Sequence, residues 1–166
     1  MEIRVLSSDD VQKALPMAEA IEGMKRAYSR LSSGRVEMPL RSRVHVPEQE
    51  GVLLTMPAAL PDDSEMAVKL VTVFSKNPAR GFPLIHAAVL VLDTENGQIK
   101  ALMDGEVLTA VRTGAGVGAA TELLASTDAV SVAIIGSGKQ ACSQLDAVCT
   151  VRSIRQAWVY SPNPEH

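Results

Sequence analysis

The residues that point most directly to chemistry form one glycine-rich run, Gly136-Ser137-Gly138-Lys139-Gln140-Ala141. The run fits the pattern G-x-G-x-x-G/A, in which the first glycine permits a tight turn from strand to helix and the second lets the backbone approach a pyrophosphate. The small third residue, here Ala141, lets the helix pack closely on the strand. The N–H groups at the start of that helix point at the phosphates. The run therefore predicts a dinucleotide site, with a purely structural turn as the alternative.

The surroundings of the run decide between these two interpretations. The apolar run Val130–Ile135 is typical of a buried parallel strand. The segment from Lys139 to Thr150 is predicted to be a helix, and Gln156–Tyr160 a second strand. A β-loop-α-β segment of about 30 residues is one βαβ unit of a Rossmann domain, which favours dinucleotide binding.

The end of the second strand selects between NAD and NADP, because an Asp or Glu there holds the ribose 2′-hydroxyl of NAD. Here the strand is followed by Ser161. Its uncharged side chain does not repel a 2′-phosphate, which slightly favours NADP. No arginine follows to bind that phosphate, so NAD and NADP both stay open.

Three cations upstream are candidates for binding an anionic substrate. Arg41 lies at the start of a predicted strand, Lys69 interrupts the apolar run Val68–Val73, and Arg112 lies in a helix of small residues. Together they are suited to a carboxylate, which matches the planar fork of arginine. The alternative for Lys69 is a side chain that snorkels or lies on an edge strand.

The remaining reactive side chains give weaker signals. His45, His86 and His166 show no metal-ligand spacing, and we predict no metal site. We expect His86 to be a core histidine with satisfied hydrogen bonds, and Asp104-Gly105 to be a turn and helix cap. Cys142 and Cys149, seven residues apart on one helix face, are predicted to be buried or half-buried thiols.

The elements that position these residues change character along the chain. Residues 1–35 are mainly helical after a short strand: Ser8 with Asp9 and Asp10 signals a helix start, Pro16 begins a second helix and Gly34 ends it. The core face of that second helix is predicted to carry Met17, Ile21, Met24, Tyr28 and Leu31. Residues 36–103 predict an antiparallel sheet of about five strands, with a hairpin at Asn96-Gly97. A helix of small residues follows over Gly105–Ala125.

Composition limits the class of protein. The chain has 166 residues, a net charge of −3 and 46% hydrophobic residues, which is typical of a globular chain and disfavours a nucleic-acid binder. No apolar run predicts a membrane span and no secretory signal is recognisable. We therefore expect a protein of the reducing cytoplasm.

The fold class predicted is α/β, in two parts. Residues 1–126 form an α+β domain, and residues 127–166 form the first βαβ unit of a Rossmann domain. Since such a domain needs more than two strands, we interpret the chain as truncated.

The motifs as a set resemble the ornithine cyclodeaminase/mu-crystallin family, and their order and spacing match across nearly the whole chain. The matching segments are Gly51-Val52-Leu53-Leu54-Thr55-Met56-Pro57-Ala58, Val68-Lys69-Leu70-Val71-Thr72, Asn77-Pro78 with Gly81-Phe82-Pro83, Leu102-Met103-Asp104-Gly105, Leu108-Thr109-Ala110-Val111-Arg112-Thr113 and the glycine run. Complete members look roughly twice as long as this chain, which resembles their N-terminal half.

The resemblance implies a substrate and dimerisation domain beside a Rossmann domain, and a homodimer. It implies NAD(P)-dependent chemistry on small α-amino or cyclic α-imino acids. Arg41, Lys69 and Arg112 would hold the substrate carboxylate, and Thr113 would contribute near the cofactor phosphates. Lys69 would also be the candidate acid–base catalyst, if burial lowers its pKa.

One departure from the family pattern bears on the substrate. Ornithine cyclodeaminases look to have a glutamate two residues before the Met-Pro step, where this chain has Leu54. That favours a ketimine or pyrroline-2-carboxylate reductase over an ornithine cyclodeaminase. The alternatives are a non-catalytic mu-crystallin-like binding protein and an inactive fragment.

Overall fold

A computed structural model describes residues 2–162, so that His166, considered above as a metal ligand, lies outside the described residues. The chain divides into two compact units. The first comprises the chain up to Val11 together with Arg30–Val107, and the second comprises Gln12–Ser29 and the chain from Leu108 onward.

The first unit contains a six-stranded sheet in the order β1-β6-β5-β4-β3-β2. Its strands are β1 (Arg4–Leu6), β2 (Ser42–Val46), β3 (Gly51–Leu60), β4 (Glu65–Phe74), β5 (Ile85–Asp93) and β6 (Ile99–Asp104). Strands β2 to β6 pair antiparallel in sequence order, and β1 pairs parallel to β6. The predicted five-stranded antiparallel sheet is confirmed, and the short first strand adds a sixth.

Four helices are described: α1 (Ser8–Ala14), α2 (Met17–Ser32), α3 (Gly105–Leu124) and α4 (Lys139–Val151). The cap of α1 is Ser7 and not Ser8: the Ser7 hydroxyl accepts the Asp10 N–H at 3.3 Å, and the Asp10 carboxylate accepts the Ser7 N–H at 2.9 Å. This reciprocal pair satisfies two donors at the helix start. The predicted cap at Asp104 is confirmed, because its carboxylate accepts the Val107 N–H at 2.8 Å.

The second unit has its core between helices. Ile21 on α2 is 2% exposed and packs with buried alanines of α3 and α4, namely Ala115, Ala119 and Ala147. Met17 and Met24 pack against this core, as the helical spacing predicts. Tyr28 and Leu31 were predicted on the same face but are about half exposed, at 48% and 45%.

An ion pair links two helices of this unit. The Lys25 ammonium on α2 lies 2.6 Å from Glu122 on α3 and 2.7 Å from Glu22. The hydrogen bond with Glu122, followed by that with Glu22, raises the pKa of Lys25 above its ordinary value. Both bonds therefore favour the charged ammonium.

The predicted βαβ unit is present. Strands β7 (Ser131–Ile135) and β8 (Gln156–Tyr160) pair in parallel, with α4 between them in the chain. The prediction that Val130–Ile135 is buried is wrong, because alternate residues of β7 are exposed and Ile135 is 89% exposed. Apolar composition predicts the strand, whereas burial depends on what packs against each of its faces.

Both cysteines also differ from expectation. Cys142 and Cys149 are exposed free thiols on α4. The buried side of that helix is defined by Ala147, and the two cysteines fall on the other side. The seven-residue spacing correctly predicts that the two cysteines share one face of the helix. It does not predict which face of the helix packs against the rest of the protein.

The division by contacts differs from the boundary at residues 126–127 suggested by sequence. It groups most of α2 and α3 with α4, because these helices share the buried alanine core. As a division between functional domains, the sequence boundary stays a prediction. Among residues 2–162, no helix combines the length and apolarity that crossing a membrane requires.

Candidate functional site

The glycine run forms the turn between β7 and α4. Gly136 has φ +104°, a backbone conformation that L side chains rarely adopt. Its N–H donates to the Tyr160 carbonyl oxygen at 2.8 Å. The turn is thereby fixed beside the carboxyl end of β8. The carboxyl ends of parallel strands are where open α/β sheets bind ligands.

The run leaves space where a phosphate would need it. A Cβ added at Gly136 or Gly138 would meet no atom within 4 Å. Gly138 is the N-cap of α4 and supplies no side-chain cap. The helix start thus presents backbone N–H groups and a positive dipole end without a side chain above them. These features fit a dinucleotide pyrophosphate.

An open cleft of about 290 Å³ lies over this turn. Its lining comprises Ile134, Ile135, Gly136, Gly138, Lys139, Gln140, Ala141 and Gln144. Gln144 was missed by sequence reasoning, which stopped at the end of the motif. The signal was present, since Gln140 and Gln144 are four residues apart and share a helix face.

Ser161, the predicted ribose selector, directly follows β8 and is half-buried. The Gly136–Tyr160 hydrogen bond places the residue before Ser161 against the first glycine of the run. The structure therefore brings the glycine run and Ser161, the predicted ribose selector, to the same edge of the β7–β8 pair.

Arg112 and Thr113 lie on α3, with Arg112 exposed and Thr113 half-buried. The Thr113 hydroxyl donates to the Thr109 carbonyl oxygen at 2.6 Å. The next residue, Gly114, abuts the backbone of Ser143 on α4: a Cβ there would lie 2.6 Å from the Ser143 carbonyl carbon. This contact sets Thr113 close to the second turn of α4, within the same unit as the glycine run.

Lys69 and Arg41 belong to the first unit. Lys69 lies in β4, opposite Met56 of β3 and Val89 of β5, and is half-buried. It is not on an edge strand, so the edge-strand interpretation is wrong, whereas the snorkelling interpretation stays open. Arg41 is exposed and directly precedes β2. Continuing the β2–β3 register by one residue puts Arg41 opposite Met56, on the same sheet face as Lys69.

His86 is not the core histidine that was expected. Its side chain is 53% exposed, and its Nδ1 lies 3.9 Å from a Glu106 carboxylate oxygen. His86 lies in β5 opposite Thr72. Strand alternation predicts which residues share a face of the sheet, but it does not predict whether other parts of the protein cover that face. Within residues 2–162, no cluster of three or more His, Cys, Asp or Glu side chains is suited to hold a metal ion.

Comparison with known proteins gives a consistent result. A family model described as "Ornithine cyclodeaminase/mu-crystallin family" matches residues 1–166. A Delta(1)-pyrroline-2-carboxylate reductase of Bacillus cereus is 32% identical over 161 residues, covering 97% of this chain and 50% of that protein.

Two solved structures share the fold. That of the Thermococcus litoralis Delta(1)-pyrroline-2-carboxylate reductase in complex with NADH and L-proline has a TM-score of 0.89 and 42% identity, covering 98% of this chain and 50% of that one. That of an archaeal alanine dehydrogenase dimer with bound NAD has a TM-score of 0.87 and 31% identity, covering 96% and 49%.

The chain thus spans about half the length of the relatives it matches. The match to the family nevertheless extends over every residue of the chain, and the motifs that carried the resemblance lie within it. The chain belongs to the ornithine cyclodeaminase/mu-crystallin family.

Proposed function

We propose that the chain binds NAD or NADP at the glycine run and that the whole protein carries out NAD(P)-dependent amine/imine chemistry on a small α-amino or cyclic α-imino acid. The observation that supports this most strongly is the turn itself. Its left-handed Gly136, its open Gly138 and the uncapped start of α4 leave room for a pyrophosphate. Relatives whose structures contain NADH or NAD give independent support.

Each residue at the turn has a distinct task in this proposal. The backbone at Gly136 and Gly138 approaches the phosphates, and Ala141 lets α4 pack close to the strand. Ser161 faces the adenosine ribose, where its neutral hydroxyl accommodates a 2′-phosphate and slightly favours NADP. Thr113 contributes from α3. When bound, a nicotinamide dinucleotide supplies hydride exchange with the substrate α-carbon.

The substrate carboxylate is anchored by cations in this proposal. Arg41 and Lys69 share one face of the sheet, and Arg112 is the third cation expected from the family pattern. Lys69 is the candidate proton donor or acceptor at the substrate nitrogen, because its half-buried side chain lies in an interior strand on the sheet face that also carries Arg41. A Lys69→Met variant of a full-length relative that keeps kcat and only raises KM would contradict this acid–base role.

The substrate class follows from the family and from Leu54, which lies in β3 where a cyclodeaminase is expected to have glutamate. A ketimine or pyrroline-2-carboxylate reductase is therefore preferred to an ornithine cyclodeaminase. We further propose a homodimer in the cytoplasm, supported for the dimer by the alanine dehydrogenase relative.

The test is calorimetric titration of the chain with NADH and, separately, NADPH. We compare the wild type with Gly138→Ala and with Gly23→Ala. Gly138 has φ −70° and open space around a Cβ, so alanine fits the free protein but fills the place of a pyrophosphate oxygen. We expect Gly138→Ala to weaken binding of both nucleotides about tenfold or more.

Gly23→Ala is the matched control, because a Cβ there has only the tip of Arg26 within 4 Å, at 3.9 Å, and alanine favours helix α2. It should leave binding unchanged. Wild-type chain that is folded by circular dichroism but binds neither nucleotide would contradict the proposal. Equal binding by wild type and Gly138→Ala would place the nucleotide elsewhere. Binding without turnover of a cyclic imine by the whole protein would favour the mu-crystallin-like binding role.

A further inference from the structure

The strand register arranges the face of the sheet that carries Lys69 into cross-strand rows. Residues directly opposite each other on paired strands project from the same face. One row runs through Met56, Lys69 and Val89. The next row, two residues along, runs through Arg43, Leu54, Val71 and Ala87. Arg43 therefore lies on the substrate face, one row beyond the proposed carboxylate anchor.

Arg43 is exposed, and it forms no ion pair or side-chain hydrogen bond with any of residues 2–162. The strand residues around it on this face are apolar, apart from the cations Arg41 and Lys69 and the imidazole of His45, and none of the neighbouring ones carries a carboxylate. The acidic residues of β4 and β5 on the same face, Glu65 and Asp93, pair with each other at the far ends of their strands. They lie on the opposite side of Lys69 from Arg43, about 13 Å along β4 from Lys69.

Arg43 thus adds a third cation to the face that carries Arg41 and Lys69. Arg41 and Lys69 suffice for one carboxylate, which leaves the Arg43 guanidinium without a counter-charge. Successive rows on one face are about 7 Å apart, and arginine and lysine side chains are long enough to lean across that gap. A short dicarboxylic acid would place one carboxylate between Arg41 and Lys69 and the other beside Arg43.

We propose that Arg43 is a specificity residue that binds a second anionic group, so that the preferred substrate class is a dicarboxylic amino or imino acid. The inference rests on the proposed function, because it takes Arg41 and Lys69 as the anchor of the first carboxylate. The same arrangement disfavours diamino acids. The side-chain ammonium of such a substrate would lie beside Leu54, where it would meet the Arg43 guanidinium and no carboxylate of the strands.

Two planar probes, pyrrole-2-carboxylate and pyrrole-2,5-dicarboxylate, test this proposal. They differ only in the second carboxylate. Each is titrated calorimetrically into the chain with NADH present, at low ionic strength. We expect the dicarboxylate to bind about tenfold more tightly, as for one additional charge-assisted contact at an exposed site. L-Ornithine should bind more weakly than either probe.

Variants then assign the difference to a residue. Arg43→Met should remove the preference for the dicarboxylate and leave affinity for the monocarboxylate unchanged, and Arg43→Lys should restore part of the preference. Arg4→Met is the matched control: Arg4 is an exposed arginine on β1, the opposite edge strand, and its loss should leave the preference intact. Circular dichroism checks that each variant is folded.

The outcomes separate the two proposals. Suppose first that the monocarboxylate binds and that Lys69→Met abolishes this binding. The substrate site then stands. The role of Arg43 is overturned if the dicarboxylate binds no more tightly than the monocarboxylate, or if Arg43→Met leaves the preference for the dicarboxylate in place. If neither probe binds, or if Lys69→Met changes neither affinity, the substrate site itself fails and the role of Arg43 falls with it.

Discussion

The six-stranded sheet and the β7–β8 pair are built from similar apolar strands but are stabilised differently. In the sheet, β4 is flanked on both sides by long antiparallel neighbours, and Val71 and Val89 are buried. In the β7–β8 pair, Trp158, Val159 and Tyr160 are each more than half exposed. There, close packing is found between helices, where Gly114 and Gly118 let α3 approach its neighbours. Apolar strand sequence therefore does not by itself tell how a region is stabilised.

The sharpest test of this comparison is Gly114→Ala. Its new Cβ would meet backbone atoms of Ser143 at van der Waals overlap, 2.6 Å from the carbonyl carbon, and backbone cannot move aside as a flexible side chain does. We expect a loss of about 3 kcal/mol of unfolding free energy. Urea unfolding followed by fluorescence of Trp158, the single tryptophan and a residue of β8, measures it.

Gly23→Ala serves again as the control, because there the added methyl has space and should stabilise helix α2 by about 0.5–1 kcal/mol. If Gly114→Ala is as stable as wild type, the close approach of α3 to α4 does not support the β7–β8 region.

A smaller effect is expected at Arg152, just after α4. Its guanidinium donates to the carbonyl oxygens of Ala125 at 2.8 Å and Ser126 at 2.8 Å. It also donates to those of Thr121 at 2.9 Å and Glu122 at 3.1 Å, near the end of α3. The Glu122 carbonyl belongs to the last turn of α3, where donors within the helix run out, and the carbonyls of Ala125 and Ser126 lie just beyond that turn. Arg152→Met should therefore cost about 1–2 kcal/mol of unfolding free energy, measured by urea titration.

Arg155→Met removes a nearby exposed arginine for which the described residues offer no side-chain hydrogen bond. It should change stability by less than about 0.5 kcal/mol. Equal losses in both variants would mean that positive charge, and not the carbonyl contacts of Arg152, stabilises the end of α3.

The smallest effect belongs to the sheet, at the β5–β6 hairpin. The hydrogen bond from Lys100 at 2.6 Å, and then that from the Glu95 N–H, lower the pKa of Asp93 below its usual value of 3.8. Because the folded state holds this carboxylate ionised, its contribution to stability is present above pH 3.8 and is lost as pH falls through the lowered pKa.

An NMR titration of the Asp93 carboxyl in wild type and Lys100→Met measures this directly. The variant should show a higher pKa, still held below 3.8 by the backbone N–H groups of Glu95 and Asn96. An unchanged pKa would mean that the turn, and not the ion pair, sets the ionisation of this hairpin.

The motifs were the most predictable part of the site. The glycine run, its strand and its helix were placed from sequence because each residue type has a local reason: glycine for a left-handed turn and a small residue for close packing. The five antiparallel strands were likewise predictable from alternation and turns. The burial of Cys142, Cys149 and His86 was predicted wrongly. Periodicity indicates which residues share a face of a helix or strand, but it does not indicate whether that face is buried.

By itself, the sequence determined the local elements, the family and the position of the glycine run, because turns, caps and apolar periodicity act over a few residues. The tertiary structure alone decided which strands are covered and that Gln144 lines the cleft beside the glycine run. It also decided that Arg43 stands one row from Lys69. Register between strands distant in the chain is fixed by packing across the whole sheet, and no local pattern specifies it.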